Sequence, residues 1–520
     1  MTQITQFMRR AAQTRPLGVA TECEGRARTW REFESRVIKL AGAIGGLGLK
    51  PGDRVGMLAL NCDRYLEYFF GCAWGGFVFV PINTRLAPPE VVFWLEDSAC
   101  AALFIDDAFL PMLAQVRPRT PGVRHVIRVG DGPAPEGLLA YEDLLASGSP
   151  ILDAGKGGDD LAGIFYTGGT TGRSKGVMLS HRNIIANALS CAAVFGLDAE
   201  TVYLHAAPMF HLADGASTFL VTAMGGKHVF MQRFDPGQFL ETIAKYRVTA
   251  TLIVPTMVNM VVQHPSVETT DTTSLKLVLY GASPMPEAVI RRAFVALPHT
   301  GFIQAYGQSE ASPCMTFLTP DYHTLEGPKA GKLKSAGRAA LGFEIRIHDY
   351  NDEEVPRGTV GEICGRGDGV MLGYWRQPEM TAKTLRNGWL HTGDGGFMDE
   401  DGFVHVVDRV KDMIISGGEN VYSAEVEQAI YQHPAVAECA VIGIPDETWG
   451  EAVRGIVRLK PGASASAEAL IAHCKALIAH YKCPRGVSFR EEGLPLSGAG
   501  KILKTELRKP FWQGREKAVN

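Results

Sequence analysis

At 520 residues the chain is too long for one simple hydrophobic core, so two or more domains are expected. Hydrophobic residues make up 46% and charged residues 21%, an ordinary globular balance, and the formal net charge of −4 gives no electrostatic reason to expect nucleic acid or an acidic membrane as partner. The ten cysteines include no C-x-x-C pair, which argues against a zinc site or a disulfide framework and suits a reducing cytosol. The N-terminus lacks the apolar core of a signal peptide. The longest apolar run, Tyr68 to Ile82, is broken by Gly71, Gly75, Gly76 and Pro81 and falls short of the roughly 20 residues of a membrane span. A cytoplasmic location is expected.

Thr29-Trp30-Arg31-Glu32 forms a capping box, and Phe33, Val37, Leu40, Ile44 and Leu47 follow at helical spacing up to Gly48. Pro51-Gly52-Asp53 turns the chain into a short strand, Val55–Leu60. A helix over about Arg64–Trp74 then leads to the strand Phe77–Val80. Pro88 and Pro89 open a third helix, and Ala101–Ile105 reads as another strand. This alternation predicts α/β architecture with parallel sheet layered by helices. Residues 130–159, rich in Gly, Pro and Asp, read as a surface connection. Val202–Ala206, His228–Met231, Thr249–Val254 and Leu277–Tyr280 are further strand candidates. Near Ala339 the texture changes: Phe343–His348 and Val360–Cys364 are short alternating strands with Gly-rich turns, suggesting a β-rich subdomain over about 340–410. From Lys411 a compact α+β pattern begins, with helix Ser423–Gln432, strands Ala437–Ile442 and Ala452–Leu459, and helix Ala467–Ala479. The division expected is 1–410 and 411–520.

The stretch Tyr166-Thr167-Gly168-Gly169-Thr170-Thr171-Gly172-Arg173-Ser174-Lys175-Gly176 follows the apolar run Leu161–Phe165. Glycines let backbone N–H groups form a nest for an anion, and hydroxyls and cations complete it. The bland alternative is a mobile surface loop. Its position after a strand, the hydroxyls beside the glycines and the terminal Lys175-Gly176 favour a phosphate cradle. The Walker A pattern fails, because Ser174 precedes Lys175 and Gly176 follows it. Ser180 is the better helix cap, so the loop is expected to join two strands. No G-x-G-x-x-G occurs in it, which disfavours a nicotinamide enzyme.

Written Y-T-[SG]-G-T-T-G-x-x-K-G, this loop resembles the signature of the adenylate-forming superfamily of acyl- and aryl-CoA synthetases, luciferases and adenylation domains. Further motifs follow in the family's order across almost the whole chain, which most resembles a bacterial acyl-CoA synthetase of the fatty-acid–CoA ligase type. The resemblance implies a large AMP-binding domain of layered α/β sheets and a mobile α+β C-terminal domain. The cradle residues Thr167, Gly168, Gly169, Thr170, Thr171, Gly172 and Lys175 would hold the ATP phosphates. Tyr280-Gly281-Ala282-Ser283-Pro284 resembles the adenine-lining turn, so Gly281, Ala282 and Ser283 are nucleotide contacts. In Gln304-Ala305-Tyr306-Gly307-Gln308-Ser309-Glu310, Tyr306 would stack on adenine beside Gln304, Ala305, Gly307 and Ser309. Glu310 would bind Mg²⁺ with Thr167. Trp389-Leu390-His391-Thr392-Gly393-Asp394 supplies Asp394 for the ribose hydroxyls, and Arg409 would reach ribose or phosphate. Lys411 falls at the hinge position, and Ser416, Gly417 and Gly418 resemble the coenzyme A tunnel loop. Pro495-Leu496-Ser497-Gly498-Ala499-Gly500-Lys501 matches the C-terminal motif whose lysine, here Lys501, is catalytic; Lys504 stands where many relatives have Arg.

Pro208-Met209-Phe210-His211 resembles the segment between acyl site and thiol tunnel, with His211 as a gate. Relatives that activate amino acids carry Asp at that place, so His211 argues for a plain carboxylic acid. Gly215 stands near the position of the gating Trp of some long-chain relatives. His211, Ala213, Gly215, Met257 and Cys314 are the acyl-pocket candidates, suggesting room for an aliphatic or aromatic acid of medium to long size. The implied reaction is ATP-dependent acyl-adenylate formation with release of pyrophosphate, then thioester formation with coenzyme A and release of AMP. The partners are thus the acid, ATP and coenzyme A, with Mg²⁺ as cofactor and a homodimer as a compatible assembly. Two rivals share the motifs: an adenylation enzyme that loads a carrier protein, and a luciferase-like oxygenase. A catalytically dead binding protein is disfavoured, because Lys501, Glu310 and Asp394 are all present.

Overall fold

A computed structural model of the chain describes residues 2–167, 174–283, 285–409, 413–416, 419–446, 448–496 and 502–513, with backbone alone at 408, 409, 415, 419 and 420. Two large sheets form the N-terminal domain. In the nine-stranded sheet, Val19–Cys23, Lys227–Phe230, Val202–His205, Ala250–Leu252, Leu277–Gly281 and Gly301–Gly307 run parallel in that spatial order, and Cys314–Leu318 adds antiparallel beyond them. The eight-stranded sheet has a parallel centre, Leu161–Thr167, Val78–Pro81, Arg54–Leu58, Cys100–Asp106 and His125–Val129. The β-rich subdomain is a separate five-stranded sheet over 343–409, and a second five-stranded sheet lies in the small C-terminal domain.

Several local features follow directly from the chain. Thr29 and Glu32 form the capping box of helix Trp30–Gly46, and Ser180 caps helix His181–Phe195. Helix Asp63–Gly75 is buried at every position, which requires an apolar surface all round. It nevertheless carries Asp63, Arg64 and Glu67, and buried charges persist only when paired. Arg26 meets Asp63 at 3.0 Å, Arg36 meets Glu67 at 2.6 Å, and Arg64 meets Glu142 at 2.9 Å. That pairing corrects the reading of 130–159 as a plain surface connection. Within it Leu139–Ala140 is a strand and Tyr141–Ser147 a helix; Tyr141 is buried and its hydroxyl donates to Glu67 at 2.7 Å. The N-terminal helix Thr5–Thr14 and the hairpin Val19–Cys23/Arg26–Thr29 were also not anticipated.

The main core takes residues from both large sheets and the helices between them. A second core covers the opposite face of the nine-stranded sheet: Leu277 and Leu279 face one, Val278 and Tyr280 the other. Among the described residues no helix is long and apolar enough to cross a membrane.

Helix His181–Phe195 opens on a buried histidine whose Nδ1 accepts the Ile4 N–H at 3.3 Å. Burial holds His181 down to about 4, and does the same to His323. An unfolded histidine titrates near ~6.5, so below that pH the unfolded chain binds more protons than the folded one. The stability contributed by these neutral histidines is complete above about pH 6.5 and is lost as pH falls towards about 4. The urea midpoint should therefore drop through this window. His181→Asn, which keeps an acceptor for Ile4, should drop less steeply; equal slopes would remove His181 from the effect.

Candidate active site

Strands Leu161–Thr167 and Lys175–Ser180 pair antiparallel, with Thr167 opposite Lys175, so the glycine-rich stretch does join two strands. Gly168, Gly169, Thr170, Thr171 and Gly172 lie outside the described residues. The hairpin base is fixed on one side by Tyr166, which stacks on Trp94 and donates to Asp97 at 2.5 Å. On the other side, strand Gly373–Tyr374 pairs with Val177 and Met178, and the Trp375 N–H donates to the Gly176 carbonyl at 2.7 Å.

Tyr374 joins the two charged groups expected here. Lys175 Nζ lies 5.1 Å from the centroid of its ring, and its hydroxyl donates to Glu310 Oε1 at 2.7 Å. Glu310 is buried in the turn Ser309–Ala311, and its carbonyl accepts the Met371 N–H at 2.9 Å. A tyrosine can thus hold a cation by its ring and a carboxylate by its hydroxyl. Sequence reasoning missed Tyr374; the signal present was an aromatic pair, Tyr374-Trp375, directly after a glycine.

The nucleotide motifs lie on adjacent parallel strands. Gly281 sits opposite Ala305, and Tyr280 opposite Gln304. A Cβ on Gly281 would come within 2.3 Å of the Ala305 carbonyl oxygen, so a side chain is excluded there. Ala282 takes φ +66°, a sparsely populated conformation of the kind found at ligand-holding turns, and Ser283 continues that turn. Tyr306 donates to Asp394 Oδ2 at 2.9 Å, which brings the residue expected at adenine beside the one expected at ribose. Asp394 is buried on strand Trp389–Met398, and its backbone lies opposite Arg409.

His211 caps helix Leu212–Met224, its Nδ1 accepting the Ala213 N–H at 3.3 Å. The chain leading to it is held by Asn61, which donates to the carbonyls of His205 and Ala207 (3.1 and 2.8 Å) and accepts the Met209 N–H at 2.8 Å. Asn61 carried no motif signal. Gly215 is buried, and a Cβ there would lie 2.9 Å from the Met209 carbonyl. Ala213 and Cys314 border the core shared by both sheets, whereas Met257, on helix Pro255–Val262, belongs to the core on the opposite face. Cys191 and Cys314 are both free thiols, and the neighbouring Cys314, with burial, pushes Cys191 far above the usual thiol range.

In the C-terminal domain, Lys411, Gly417, Gly418 and Lys501 lie outside the described residues. Ser416 is buried at the end of strand Ile414–Ser416. The base of the Lys501 loop is closed by pairing of Leu496 with Ile502 and by the Leu503 N–H donating to the Pro495 carbonyl at 2.8 Å. Lys504 then ties the following helix to Glu427 at 2.7 Å and to the Ser423 hydroxyl.

Comparison with known proteins accounts for this arrangement. Residues 8–375 match the AMP-binding enzyme family, and residues 425–501 match the AMP-binding enzyme C-terminal domain. The chain belongs to this adenylate-forming family. It is 38% identical over 503 residues to a feruloyl-CoA synthase of an Amycolatopsis species, covering 96% of this chain and 98% of the relative. It is 35% identical to the fatty acid–[acyl-carrier-protein] ligase ScoC of Streptomyces coeruleorubidus, covering 100% and 98%. Among solved structures, the anthranilate CoA ligase AuaEII in complex with anthranoyl-AMP superposes with a TM-score of 0.91 at 28% identity, covering 98% of this chain and 97% of that one. The protein is an AMP-forming acid–thiol ligase that uses ATP and coenzyme A.

Tyr374→Phe keeps the ring beside Lys175 and removes the donor to Glu310. A hydrogen bond to a charged group contributes about 1.5–3 kcal/mol. Pyrophosphate exchange should therefore fall by roughly 10- to 100-fold, with the fold retained by circular dichroism; unchanged exchange would show that the hydroxyl does not position Glu310.

Proposed function

We propose that the enzyme converts an aromatic or fatty carboxylic acid of medium to long size to its coenzyme A thioester, with an aryl acid of the hydroxycinnamate type preferred. The observation that carries the acid class is the helix behind His211. Its first-turn carboxylate, Asp214, is fully buried and bonded to His205 Nδ1 at 2.7 Å and to the Tyr203 hydroxyl at 3.1 Å. It is turned inward and engaged, so it does not serve as a counter-ion for a substrate ammonium. His211 stands where amino-acid-activating relatives have Asp. The aryl preference rests on the names of the feruloyl-CoA synthase and anthranilate CoA ligase relatives.

The difficulty of the first step is electrostatic, since the substrate carboxylate must approach the polyanionic triphosphate. Its oxygen attacks the α-phosphate, the bond to the β-phosphate oxygen breaks, and pyrophosphate leaves. Preorganised positive groups offset the repulsion. Lys175 and the backbone nest of 168–172 would hold the departing phosphates, and Lys501 would bridge carboxylate and α-phosphate. Asp394 and Arg409 would fix the ribose, and Gly281, Ala282, Ser283, Gln304, Ala305, Tyr306, Gly307 and Ser309 would enclose the adenine. A buried carboxylate, Glu310, with the Thr167 hydroxyl is the hard oxygen donor set that suits Mg²⁺. When bound, that ion would neutralise phosphate charge. In the second step the thiolate attacks the acyl carbonyl and AMP leaves. Rotation of the C-terminal domain about Lys411 would withdraw Lys501 and bring Ser416, Gly417 and Gly418 to the tunnel.

Lys501→Ala should lower pyrophosphate exchange by about 10²–10³-fold; near-normal exchange would sink that role. Lys411→Pro, which fixes φ, should spare exchange and slow thioester formation; equal losses in both half-reactions would refute the hinge. A panel of cinnamates, benzoates and C8–C16 fatty acids, scored by ATP- and coenzyme A-dependent AMP release, tests the substrate. A carrier-protein acceptor is the second reading, favoured by the ScoC resemblance. AMP release markedly faster with holo-carrier protein than with coenzyme A would select it.

A further inference from the structure

The β-rich subdomain holds a cluster of side chains that the ligase reaction does not use. His348 ends strand Phe343–His348, Cys364 lies on Gly361–Gly367, and His391 on Trp389–Met398, three neighbouring strands of one sheet. All three are buried, and a ligand atom from each lies within 4.8 Å of the others. Cys364 Sγ is 3.3 Å from His391 Nδ1, and that nitrogen is 2.9 Å from Glu362 Oε2. Two ring nitrogens here, His348 Nδ1 and His391 Nε2, are buried with no hydrogen-bond partner among the described residues. Buried polar atoms are nearly always satisfied, so the orphaned His348 nitrogen, set beside a thiol and a second imidazole, points to a missing partner. Nothing in the spacing along the chain betrays the cluster, because its members are separated by 16 and 27 residues and meet only through strand pairing.

We propose that His348, Cys364 and His391, completed by the Glu362 carboxylate, bind one divalent cation of the Zn²⁺ class. Two imidazoles, a thiolate and a carboxylate are the donors this borderline-soft ion takes in fourfold coordination. Bonds of about 2.0–2.1 Å to nitrogen and 2.3 Å to sulfur place ligand atoms roughly 3.5 Å apart. The Cys364–His391 edge already meets that, and the widest separation closes by about 1 Å through side-chain rotation. With His391 Nδ1 on the ion, its Nε2–H faces Asp352, whose Oδ1 lies 3.8 Å away. A closing of roughly 1 Å would make this the carboxylate–histidine–metal relation that orients a ligating ring. Coordination by Cys364 releases its thiol proton to solvent. Thiolate, Glu362 and Asp352 then carry three negative charges, balanced by the ion and by Arg386, which already grips Asp352 at 2.8 Å. Arg386, Glu362 and Asp352 are partly exposed and give the ion a path inward. Glu362 Oε1 accepts the Gly393 N–H at 2.8 Å, next to Asp394. The ion would therefore stiffen the turn that carries the ribose-binding carboxylate.

The test is Co²⁺ titration of the reduced, chelator-treated full chain. The expected result is one tightly bound Co²⁺ per chain with a thiolate-to-metal charge-transfer band, displaced by Zn²⁺. Affinity should fall at least 10-fold and the band vanish in Cys364→Ser, and affinity should fall likewise in His348→Gln, while Cys191→Ser retains both. Absence of the band in the wild type, or a band that survives Cys364→Ser, overturns the proposal. Should a variant fail to fold, X-ray absorption on the Zn²⁺-loaded wild type decides: one sulfur among nitrogen and oxygen ligands supports the site, and a shell without sulfur refutes it.

Discussion

The hydroxyl of Tyr374 bonded to Glu310 is the contact on which the geometry of the site depends. Tyr374 belongs to a two-residue strand that is paired with the second arm of the cradle hairpin, while Glu310 lies in a turn after a strand of the other large sheet. One side chain therefore connects the two sheets at the place proposed to hold the ATP phosphates. Lys175 over the ring completes a cation–aromatic–carboxylate line. A lysine and a glutamate left to pair directly would neutralise each other and lose the reach towards phosphate and metal that the proposed reaction asks of them. The intervening tyrosine keeps them apart yet fixed, which is the preorganisation that electrostatic catalysis requires.

The C-terminal domain poses the opposite requirement if, as proposed, Lys501 serves one half-reaction and is withdrawn for the next. Its own fold is correspondingly self-contained. Helix Ser423–Tyr431 packs on strand Val436–Asp446 through Ile430, Val426 and Val441, and Lys504 locks the segment after the loop to Glu427 of the same helix. Glu427 also accepts the Val441 N–H at 2.8 Å. Under the proposed reaction, bringing Lys501 to or from the site would thus entail moving the whole domain. A rigid body turning on a short connector changes the site without melting any core.

Much of this was legible in the chain, and the exceptions share a cause. The cradle hairpin, the capping boxes at Thr29 and Ser180 and the β-rich texture beyond Ala339 are local patterns, and local patterns survive in a linear reading. Motif order was enough to indicate the family. Tyr374, Asn61 and the His348–Cys364–His391 cluster act through partners 64, 148 and 16 to 43 residues away. They carry no periodicity, and only strand pairing brings them to their targets. The helix Tyr141–Ser147 was hidden for a related reason: the Gly/Pro-rich flanks suggest a loop, yet Tyr141 and Glu142 are needed to satisfy buried charges on Asp63–Gly75. Tertiary demand there overrode local composition.

The same logic explains how a pocket built from small residues stays defined. Ala213 is small and lends no rigidity, and Gly215 packs against the Met209 carbonyl, so the helix that carries them must be held from behind. Beneath it runs a fully buried polar chain. His205 Nδ1 meets Asp214 at 2.7 Å, His205 Nε2 meets His228 Nδ1 at 2.9 Å, and His228 Nε2 meets Thr222 Oγ1 at 3.1 Å. Thr222 spends its own proton on the Thr218 carbonyl at 2.8 Å, so His228 must donate from Nε2 and accept at Nδ1. His205 then has to donate from Nε2. Burial, with the neighbouring His205, holds His228 well below the usual histidine range, which keeps it neutral and fixes its tautomer. One further proton lies between His205 and Asp214, so that pair is neutral as a unit whichever atom carries it. A network whose His228 and His205 Nε2 donors are fixed in this way tolerates only one arrangement of strands Val202–His205 and Lys227–Phe230 against helix Leu212–Met224. If these residues line the acyl pocket as proposed, rigidity behind it with small side chains in front would leave the choice of acid to shape.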